Sequence, residues 1–253
     1  MEIFDLQNLT FRFPDQEQPV LHDISFTVAP GEFVVLAGPS GCGKSTLLNL
    51  IAGLDKPDSG EILFGGKPVT EPGPDRTMIF QEAALFPWLS VIDNVKFGMK
   101  AAGIPKEERD AHAMKYLSMV NLASCRNYHP SQLSGGMKQR VAIARALAMN
   151  SRALLMDEPF AALDKQTKNL LRDELERIWL TERKTVVYVT HSVEEALFFG
   201  DRVVMMSANP GTVRSIFRVD FPRPRQIDTP EFVELRHNIL ADLRVEVERF
   251  ENN

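Results

Sequence analysis

The sequence predicts an α/β fold built on a mixed β-sheet, with an antiparallel β part near the N-terminus and an inserted helical lobe. Residues 2–13 and 20–28 alternate between apolar and polar side chains, as antiparallel strands do. Strand-like segments alternate with helical ones later in the chain, at residues 153–156, 185–190 and 202–206. This alternation is typical of a largely parallel sheet. From about residue 84 to residue 150 the pattern is helical, so a lobe of helices interrupts the core.

Individual elements follow from local signals. Residues 32–37 form a short apolar run bounded by glycines, which predicts a strand buried on both faces. A helix is expected over Lys44–Ala52, and Gly53 would end it. Inside the lobe, residues suited to helix N-termini predict three helix starts, at Ser90, Pro105 and Ser134. Asp164 is expected to cap a further helix with one apolar face, made of Leu171, Leu175, Ile178 and Trp179.

The core and lobe are expected to form a single domain over residues 1–225, with residues 84–150 as the insertion. Residues 226–253 are expected to form a C-terminal helical tail that starts near Pro230. An apolar stripe on this helix favours packing on the parent domain, with partner binding as the alternative. The stripe consists of Phe232, Leu235, Ile239 and Leu243.

The composition excludes several classes of protein. A net charge of −5 argues against a surface made for nucleic acid, which would need clustered Lys and Arg. The two cysteines, Cys42 and Cys125, form no CxxC pattern and indicate a reducing compartment. The acidic, alternating residues 1–5 do not resemble a signal peptide. No apolar run reaches the roughly 18–20 residues that span a bilayer, so another chain would have to supply a membrane span.

A glycine-rich motif follows the apolar run at residues 32–37 and predicts a P-loop NTPase core. It comprises Gly38, Pro39, Ser40, Gly41, Cys42, Gly43, Lys44, Ser45 and Thr46. Backbone N–H groups of such a loop converge on phosphate oxygens, and the following helix N-terminus adds a positive dipole end. Lys44 would neutralise the β- and γ-phosphates, and the Ser45 hydroxyl is placed for Mg²⁺. The alternative is a glycine-rich turn with an exposed lysine.

Two carboxylates, Asp157 and Glu158, follow the predicted strand at residues 153–156. Open parallel sheets bind ligands at the carboxyl ends of their strands. Asp157 therefore suits a role near Mg²⁺ in a P-loop enzyme. By itself, Asp-Glu-Pro could equally be a simple strand-to-loop transition.

The run Leu133-Ser134-Gly135-Gly136-Met137-Lys138-Gln139-Arg140 lies between the phosphate loop and this acidic strand end. The bare N–H groups at Ser134, Gly135 and Gly136 form a second phosphate-binding device at a helix start. Alone, the run could be a plain helix cap with solvated charges. The order of the three motifs resembles the ATP-binding subunits of ABC transporters over nearly the whole chain.

This resemblance implies roles for further residues. Glu158 matches the general base that polarises the attacking water, and Gln81 matches the loop residue that senses Mg²⁺ and water. His191 matches the switch histidine that contacts the γ-phosphate. Phe13 lies where relatives stack an aromatic ring on adenine; Phe11 is the competing choice, and a core role is open for either.

The resemblance also implies a head-to-tail homodimer that encloses two ATP molecules, with the segment at Ser134 meeting the nucleotide held by the opposite subunit. The loop at residues 161–164 would couple the two sites. Ala161 departs from the serine common in the superfamily, so no hydroxyl can act there, whereas Asp164 is retained.

Short segments at residues 73–76, 80–82, 86–88 and 207–211 look closest to importers of nitrate, sulfonate and taurine, although Asn209 replaces a common Arg. This implies permease partners, an extracytoplasmic solute-binding protein and a peripheral position on the cytoplasmic face of the inner membrane. Phe86-Pro87-Trp88 would border a groove for a permease helix, or else pack in the lobe. The solute stays open among aliphatic sulfonate, taurine, nitrate and a pyrimidine precursor.

Two other classes of function are weighed against the importer. A soluble ABC-type ATPase acting on nucleic acid or ribosomes would carry tandem ATP domains or a long coiled-coil insertion, with basic patches. A non-hydrolysing nucleotide sensor would lack Glu158 or His191. This sequence has a single set of ATP-binding motifs and a net negative charge, and it contains both Glu158 and His191.

Overall fold

A computed structural model describes residues 2–161, 163–225 and 228–251. Ala162 of the predicted coupling loop lies outside these residues, as do positions 226, 227, 252 and 253 of the predicted tail. In chain order the elements are β1 (Phe4–Phe11), β2 (Leu21–Val28), β3 (Phe33–Ala37), α1 (Lys44–Ala52), β4 (Ser59–Phe64), β5 (Lys67–Pro68), β6 (Arg76–Ile79), α2 (Val91–Ala101), α3 (Lys106–Met119), α4 (Gly135–Ala148), β7 (Ala153–Asp157), α5 (Lys165–Glu182), β8 (Thr185–Val189), α6 (Val193–Phe199), β9 (Arg202–Met206), β10 (Val213–Arg218) and α7 (Pro230–Glu251).

The chain divides into two compact units. The first joins Met1–Pro72 to Thr185–Asn253, and the second is Gly73–Lys184. The predicted limits of the domain at residue 225 and of the lobe at residues 84–150 stay predictions.

An antiparallel sheet forms the N-terminal part of the first unit, with strand order β2-β1-β4-β5. The alternation of residues 2–13 and 20–28 predicted β1 and β2 correctly. Phe4, Leu6 and Leu9 of β1 are buried and alternate with more exposed neighbours. This face supplies an apolar surface of the kind that one side of an antiparallel sheet presents to a core.

The first unit also contains a mixed group of strands. β3 lies between β8 and β9 and is parallel to both, while β10 pairs antiparallel with β9. Every residue of β3 and β8 is buried. A strand that is paired on both edges and covered on both faces needs an apolar run rather than an alternating one. The sequence prediction for residues 32–37 is therefore confirmed, and so is the mixed α/β fold.

The second unit packs helices α2, α3 and α4 together, and its strands β6 and β7 are parallel. The predicted helix starts are correct. Ser90 Oγ accepts the Asp93 N–H at 3.2 Å at the start of α2, and Pro105 directly precedes α3. The predicted apolar face of α5 is buried, at Leu171, Leu175, Ile178 and Trp179.

The sequence analysis missed three short strands, β4, β5 and β6. β4 contains Gly60, whose backbone approaches β1 so closely that a Cβ would lie 2.3 Å from the Gln7 carbonyl oxygen. β6 follows the glycine- and proline-rich residues 72–74. Because these segments are short and carry weak patterns, pairing with β1 and β7 decides their conformation rather than local propensity.

The Pro-Arg-Pro-Arg break before the tail has a structural role at α6. Arg223 donates to the Phe198 carbonyl at 3.1 Å, and Arg225 donates to the Gly200 carbonyl at 2.7 Å. The last carbonyls of a helix lack partners within the helix, and cationic side chains satisfy them well. The two arginines therefore end and stabilise α6, which has only seven residues.

The tail helix α7 begins at Pro230, as predicted, and lies against α6. Phe232 and Ile239 are buried, whereas Leu235 and Leu243 are partly exposed. Arg214 of β10 donates to Asp242 at 2.7 Å and also pairs with the buried Glu246. Packing on the first unit, the favoured prediction, is thus observed for α7. None of the helices in the described part of the chain combines the length and apolarity needed to cross a membrane.

We expect Ile239→Ala to lower the free energy of unfolding by about 2–4 kcal/mol, because the fully buried side chain would leave a cavity. Urea unfolding followed by circular dichroism measures the change. Val245→Ala on the same helix is the matched control, because Val245 is 43% exposed and should cost less than about 0.5 kcal/mol. Equal effects of the two substitutions would contradict the docking of α7 through Ile239.

Candidate nucleotide site and signature helix

The phosphate loop connects β3 to α1 in the first unit, and Lys44 lies inside it. Its Nζ donates to the carbonyl oxygens of Gly38 at 2.9 Å and Pro39 at 2.8 Å. Lys44 is only 6% exposed. A glycine-rich turn with an exposed lysine is therefore excluded: the positive charge lies where the loop amides would meet an anion.

Gly38 and Cys42 shape this loop. Gly38 has φ +155°, and a Cβ there would lie 2.6 Å from the Met206 carbonyl oxygen at the end of β9, so only glycine fits. Burial raises the pKa of the Cys42 thiol, and the nearby Lys44 charge only partly offsets this effect. The thiol therefore stays protonated at neutral pH, which excludes Cys42 as a nucleophile.

His191 follows β8 on the same edge of the strands as the phosphate loop. The register of the parallel pair aligns Leu36 of β3 with Val189 of β8. The Thr190 N–H then donates to the Leu36 carbonyl at 3.2 Å. Pairing of β3 with β8 thus brings His191 and the loop to the edge where parallel sheets bind ligands.

A corresponding edge exists in the second unit. β6 runs parallel to β7 with Ile79 opposite Met156, so Asp157 ends β7 and Gln81 lies two residues beyond the end of β6. Glu158, the next residue, has φ +42°, a left-handed conformation that costs a non-glycine residue about 1–2 kcal/mol. Strain of this kind clusters at functional sites, where the fold holds a side chain in a required direction.

Two residues of α4 hold the loop that contains Gln81, and the sequence analysis missed both. Gln139 donates to the Phe80 carbonyl at 3.5 Å. Arg145 donates to the carbonyls of Ala83 at 3.1 Å and Ala84 at 2.8 Å. Their partners are backbone carbonyls about sixty positions earlier, so no local pattern could have marked them.

An aromatic patch, defined as Phe86, Trp88 and Phe97, lies beside this loop. The ring of Phe86 is 4.3 Å from that of Phe97 and 5.6 Å from that of Trp88. Trp88 is 72% exposed, so it does not pack inside the lobe. The fully buried Asn94, also missed in the sequence, fixes the loop by accepting the Phe86 N–H at 2.8 Å and donating to the Leu89 carbonyl at 3.1 Å.

Ser134 is the N-cap of α4, which starts with the Ser-Gly-Gly run and is called the signature helix here. Its Oγ accepts the Met137 N–H at 3.3 Å. The two glycines that follow have different surroundings. A Cβ at Gly135 would meet no atom within 4 Å, whereas a Cβ at Gly136 would lie 2.7 Å from Thr167 Cγ2. Gly135 therefore leaves the helix start open, and Gly136 allows α4 and α5 to pack closely.

Asp164 caps α5 in the loop that the resemblance links to coupling between sites. Hydrogen bonds from Thr167 and from the Gln166 N–H hold the pKa of its carboxyl below the usual value. The backbone distances are 3.0 Å to Thr167 and 3.1 Å to Gln166. Its observed role is that of the predicted N-cap.

The structure separates the two candidates for adenine stacking. Phe11 is buried, and its ring makes an edge-to-face contact with Phe13, with the centroids 5.1 Å apart. Phe13 is 40% exposed. Phe11 is thus part of the core, which leaves Phe13 as the ring with a free surface.

The predicted site residues are distributed over both units. Phe13, the phosphate loop and His191 belong to the first, whereas Gln81, Asp157, Glu158 and the signature glycines belong to the second. This combination of phosphate loop, acidic strand end and Ser-Gly-Gly helix defines the class of ATP-binding cassettes. The family described as ABC transporter matches residues 21–161, and the chain belongs to this family.

Relatives extend the match over nearly the whole chain. An uncharacterized ABC transporter ATP-binding protein of Methanocaldococcus jannaschii is 50% identical over 96% of this chain and 91% of its own length. The taurine import ATP-binding protein TauB of Chromobacterium violaceum is 47% identical, with 96% of each chain covered. The nitrate import ATP-binding protein NrtD of Synechococcus elongatus is 43% identical over 94% of this chain and 89% of its own.

Solved structures agree with the fold. A dimeric structure of the ATP-binding cassette MJ0796, in a post-hydrolysis state bound to ADP and Pi, superposes with a TM-score of 0.76. The two chains are 35% identical, and the match covers 85% of this chain and 98% of that one. The prediction of a P-loop NTPase core with a mixed sheet is therefore confirmed.

The different surroundings of the two signature glycines lead to a prediction. Gly136→Ala should lower the free energy of unfolding by about 1–3 kcal/mol, because its methyl group would clash with Thr167. Gly135→Ala should change it by less than about 0.5 kcal/mol. Urea unfolding of both variants measures the difference. If Gly135→Ala destabilises the protein as much as Gly136→Ala, Gly136 has no special packing role.

Proposed function

We propose that this chain is the ATP-binding and ATP-hydrolysing subunit that energises an importer of a small solute. The observation that carries the proposal is the Ser134-capped helix α4 with Gly135 open at its start, in a chain that also holds a buried lysine in a phosphate loop. One phosphate-binding element would suffice for a simple nucleotide-binding protein. A second phosphate-binding element, at an open helix start, suits an ATP molecule that is enclosed between two copies of this chain.

In the phosphate loop, Lys44 stabilises the charge of the β- and γ-phosphates of ATP. Glu158 orients the attacking water, and His191 contacts the γ-phosphate. This chemistry consists of positioning and electrostatic stabilisation, as expected for phosphoryl transfer. The position of Glu158 directly after the end of β7 supports its assignment, because parallel sheets bind ligands at the carboxyl ends of their strands.

The site residues also suit a Mg²⁺ ion. Ser45, Asp157 and Gln81 offer hard oxygen donors, which Mg²⁺ prefers. Within the described residues, no group of three or more His, Cys, Asp and Glu side chains could hold a metal by itself. This fits an ion that arrives with ATP and takes few protein ligands. When bound, Mg²⁺ neutralises charge on the β- and γ-phosphates.

Two copies would assemble head to tail, with Ser134, Gly135 and Gly136 of one copy approaching the γ-phosphate on the other. Such a two-fold arrangement makes both sites equivalent. The dimeric structures of MJ0796 support a homodimer. Closure on ATP and reopening after hydrolysis would move bound permease segments.

The aromatic patch is the proposed docking surface for the permease. Exposed aromatic rings on a loop that buried groups hold in place are typical of a binding surface rather than of a core. Asn94 and Arg145 hold this loop, and Trp88 stands out from it. The docked protein would lie at the cytoplasmic face of the inner membrane.

The solute is proposed to be a small molecule such as taurine, another sulfonate or nitrate, because relatives named for taurine and nitrate import are 42–47% identical. An extracytoplasmic solute-binding protein would complete the system. No observation favours action on nucleic acid or ribosomes, and the net charge of −5 argues against it.

We expect Glu158→Gln to bind ATP but to hydrolyse it at least about a hundredfold more slowly, because the amide cannot accept the proton of the attacking water. The variant should therefore elute as a dimer in saturating Mg-ATP on size-exclusion chromatography. In ADP it should elute as a monomer, which is the control. A monomer in both nucleotides would contradict the enclosed dimer.

The same Glu158→Gln protein tests the transport role. Pull-down from solubilised membranes, followed by mass spectrometry, should recover a multi-span permease. Recovery of only soluble or ribosomal partners, with ATPase activity intact in the wild type, would overturn the importer proposal.

Trp88→Ala should weaken recovery of the permease at least about fivefold, because truncating an exposed interface aromatic typically costs about 1–2 kcal/mol of binding. The affinity for ATP should stay within about twofold. Calorimetry measures the ATP affinity. Leu170→Ala is the matched control, because Leu170 is 64% exposed in the same unit and outside the patch. Phe86→Ala should act in the same direction. Equal loss of ATP affinity and permease binding would show that the patch serves packing.

A further inference from the structure

The turn that carries His191 joins β8 to α6, and its residues differ in their exposure to solvent. His191 is exposed, whereas Thr190 directly before it is 2% exposed and Glu195 in α6 is 4% exposed. The two buried residues are polar. Burying a carboxylate and a hydroxyl costs free energy unless their hydrogen bonds are satisfied, so their contacts need an explanation.

These residues form a continuous chain of hydrogen bonds around the turn. The Ser192 N–H donates to Thr190 Oγ1 at 3.0 Å, and the same hydroxyl donates to Glu195 Oε2 at 2.7 Å. The hydroxyl of the fully buried Tyr188 donates to that oxygen at 2.8 Å. Thr190 and Ser192 flank His191 in sequence. One carboxylate oxygen therefore fixes the residues on both sides of the histidine.

Both ends of this network are attached to rigid elements. The Thr190 N–H donates to the Leu36 carbonyl of β3, two residues before the phosphate loop begins. At the other end, the Glu195 N–H donates to Ser192 Oγ at 3.3 Å, the N-cap of α6. The network thus connects the His191 turn to the strand that carries the phosphate loop.

On its other side the turn borders an open space. Residues 191–194 border a cavity of about 380 Å³, whose opposite wall is α7 with Val233, His237 and Leu240. A side chain next to such a space can change rotamer without a clash. The hydrogen bonds of Thr190 and Ser192 therefore fix the backbone on both sides of His191.

We propose that Glu195, acting through Thr190, is a positioning residue that holds His191 in the direction needed to reach the γ-phosphate. The proposal rests on the role given to His191 above. Burying a carboxyl group costs free energy that an apolar side chain would not, so its hydrogen bonds to Thr190 and Tyr188 are the contribution that we assign to Glu195. A group placed in advance costs no reorganisation when the reaction occurs.

The first test compares Thr190→Val with Thr190→Ser in the full chain. Valine keeps the shape but loses the hydroxyl, whereas serine keeps both hydrogen bonds. We expect Thr190→Val to lower the kcat of Mg-ATP hydrolysis by about tenfold to a hundredfold, the loss typical of a misplaced group. The KM for ATP should stay within about twofold, and Thr190→Ser should restore the kcat.

A second pair tests Glu195 itself. Glu195→Met keeps the length but accepts hydrogen bonds only weakly, and should reproduce the loss in Thr190→Val. Glu195→Gln keeps an oxygen that can accept from both hydroxyls, and should stay within about threefold of the wild type. Thermal melting of all four variants verifies that they are folded. The Glu195 pair decides the outcome if Thr190→Val does not fold.

His191→Ala separates this inference from the proposed function. If His191→Ala hydrolyses ATP at the wild-type rate, the role given to His191 is wrong and the inference fails with it. If His191→Ala loses activity while folded Thr190→Val and Glu195→Met keep theirs, only the positioning role is overturned. Adding Thr190→Val to His191→Ala should cause no further loss in kcat, because residues that act as a unit are not additive. A full additional loss would overturn a role through His191.

Discussion

Parallel pairing of β3 with β8 and β9 is the constraint on which the candidate chemistry of the first unit depends. All five residues of β3 are buried, and both of its edges are hydrogen-bonded. A shift in the register of this strand would break its hydrogen bonds to both neighbours at once. The loop after β3 and the turn after β8 are therefore fixed at one edge, with Lys44 in the first and His191 in the second.

Close backbone approach sets the shape of the loop and of the signature helix. Gly38 lies against the Met206 carbonyl at the end of β9, and Gly136 lies against Thr167 of α5. At Gly38 a methyl group would collide with a backbone carbonyl, and at Gly136 with the methyl group of Thr167. Gly135 meets nothing, so its value is an open helix start. The three glycines thus serve two purposes: Gly38 and Gly136 allow close approach of a neighbour, and Gly135 leaves a helix start open.

Buried and partly buried polar side chains hold the loops that carry the candidate site residues. Asn94 and Arg145 bind the backbone of the loop at residues 80–90, and the network of Glu195 binds the turn at His191. Each satisfies groups that would otherwise lose their hydrogen bonds on burial. Loops that bind ligands are generally less stable than the elements that they connect. These contacts give them defined positions without a larger apolar core.

The sequence by itself determined the α/β class, the main strands and helices, their caps and the motif residues. These features depend on local periodicity, on cap chemistry and on glycine spacing, which are written along the chain. The tertiary structure decided which of Phe11 and Phe13 is exposed, paired the short strands β4 and β6, and gave Asn94 and Glu195 their hydrogen-bond partners. Those outcomes depend on partners distant in sequence or on the way the backbone folds back, and no local pattern encodes a contact of that kind.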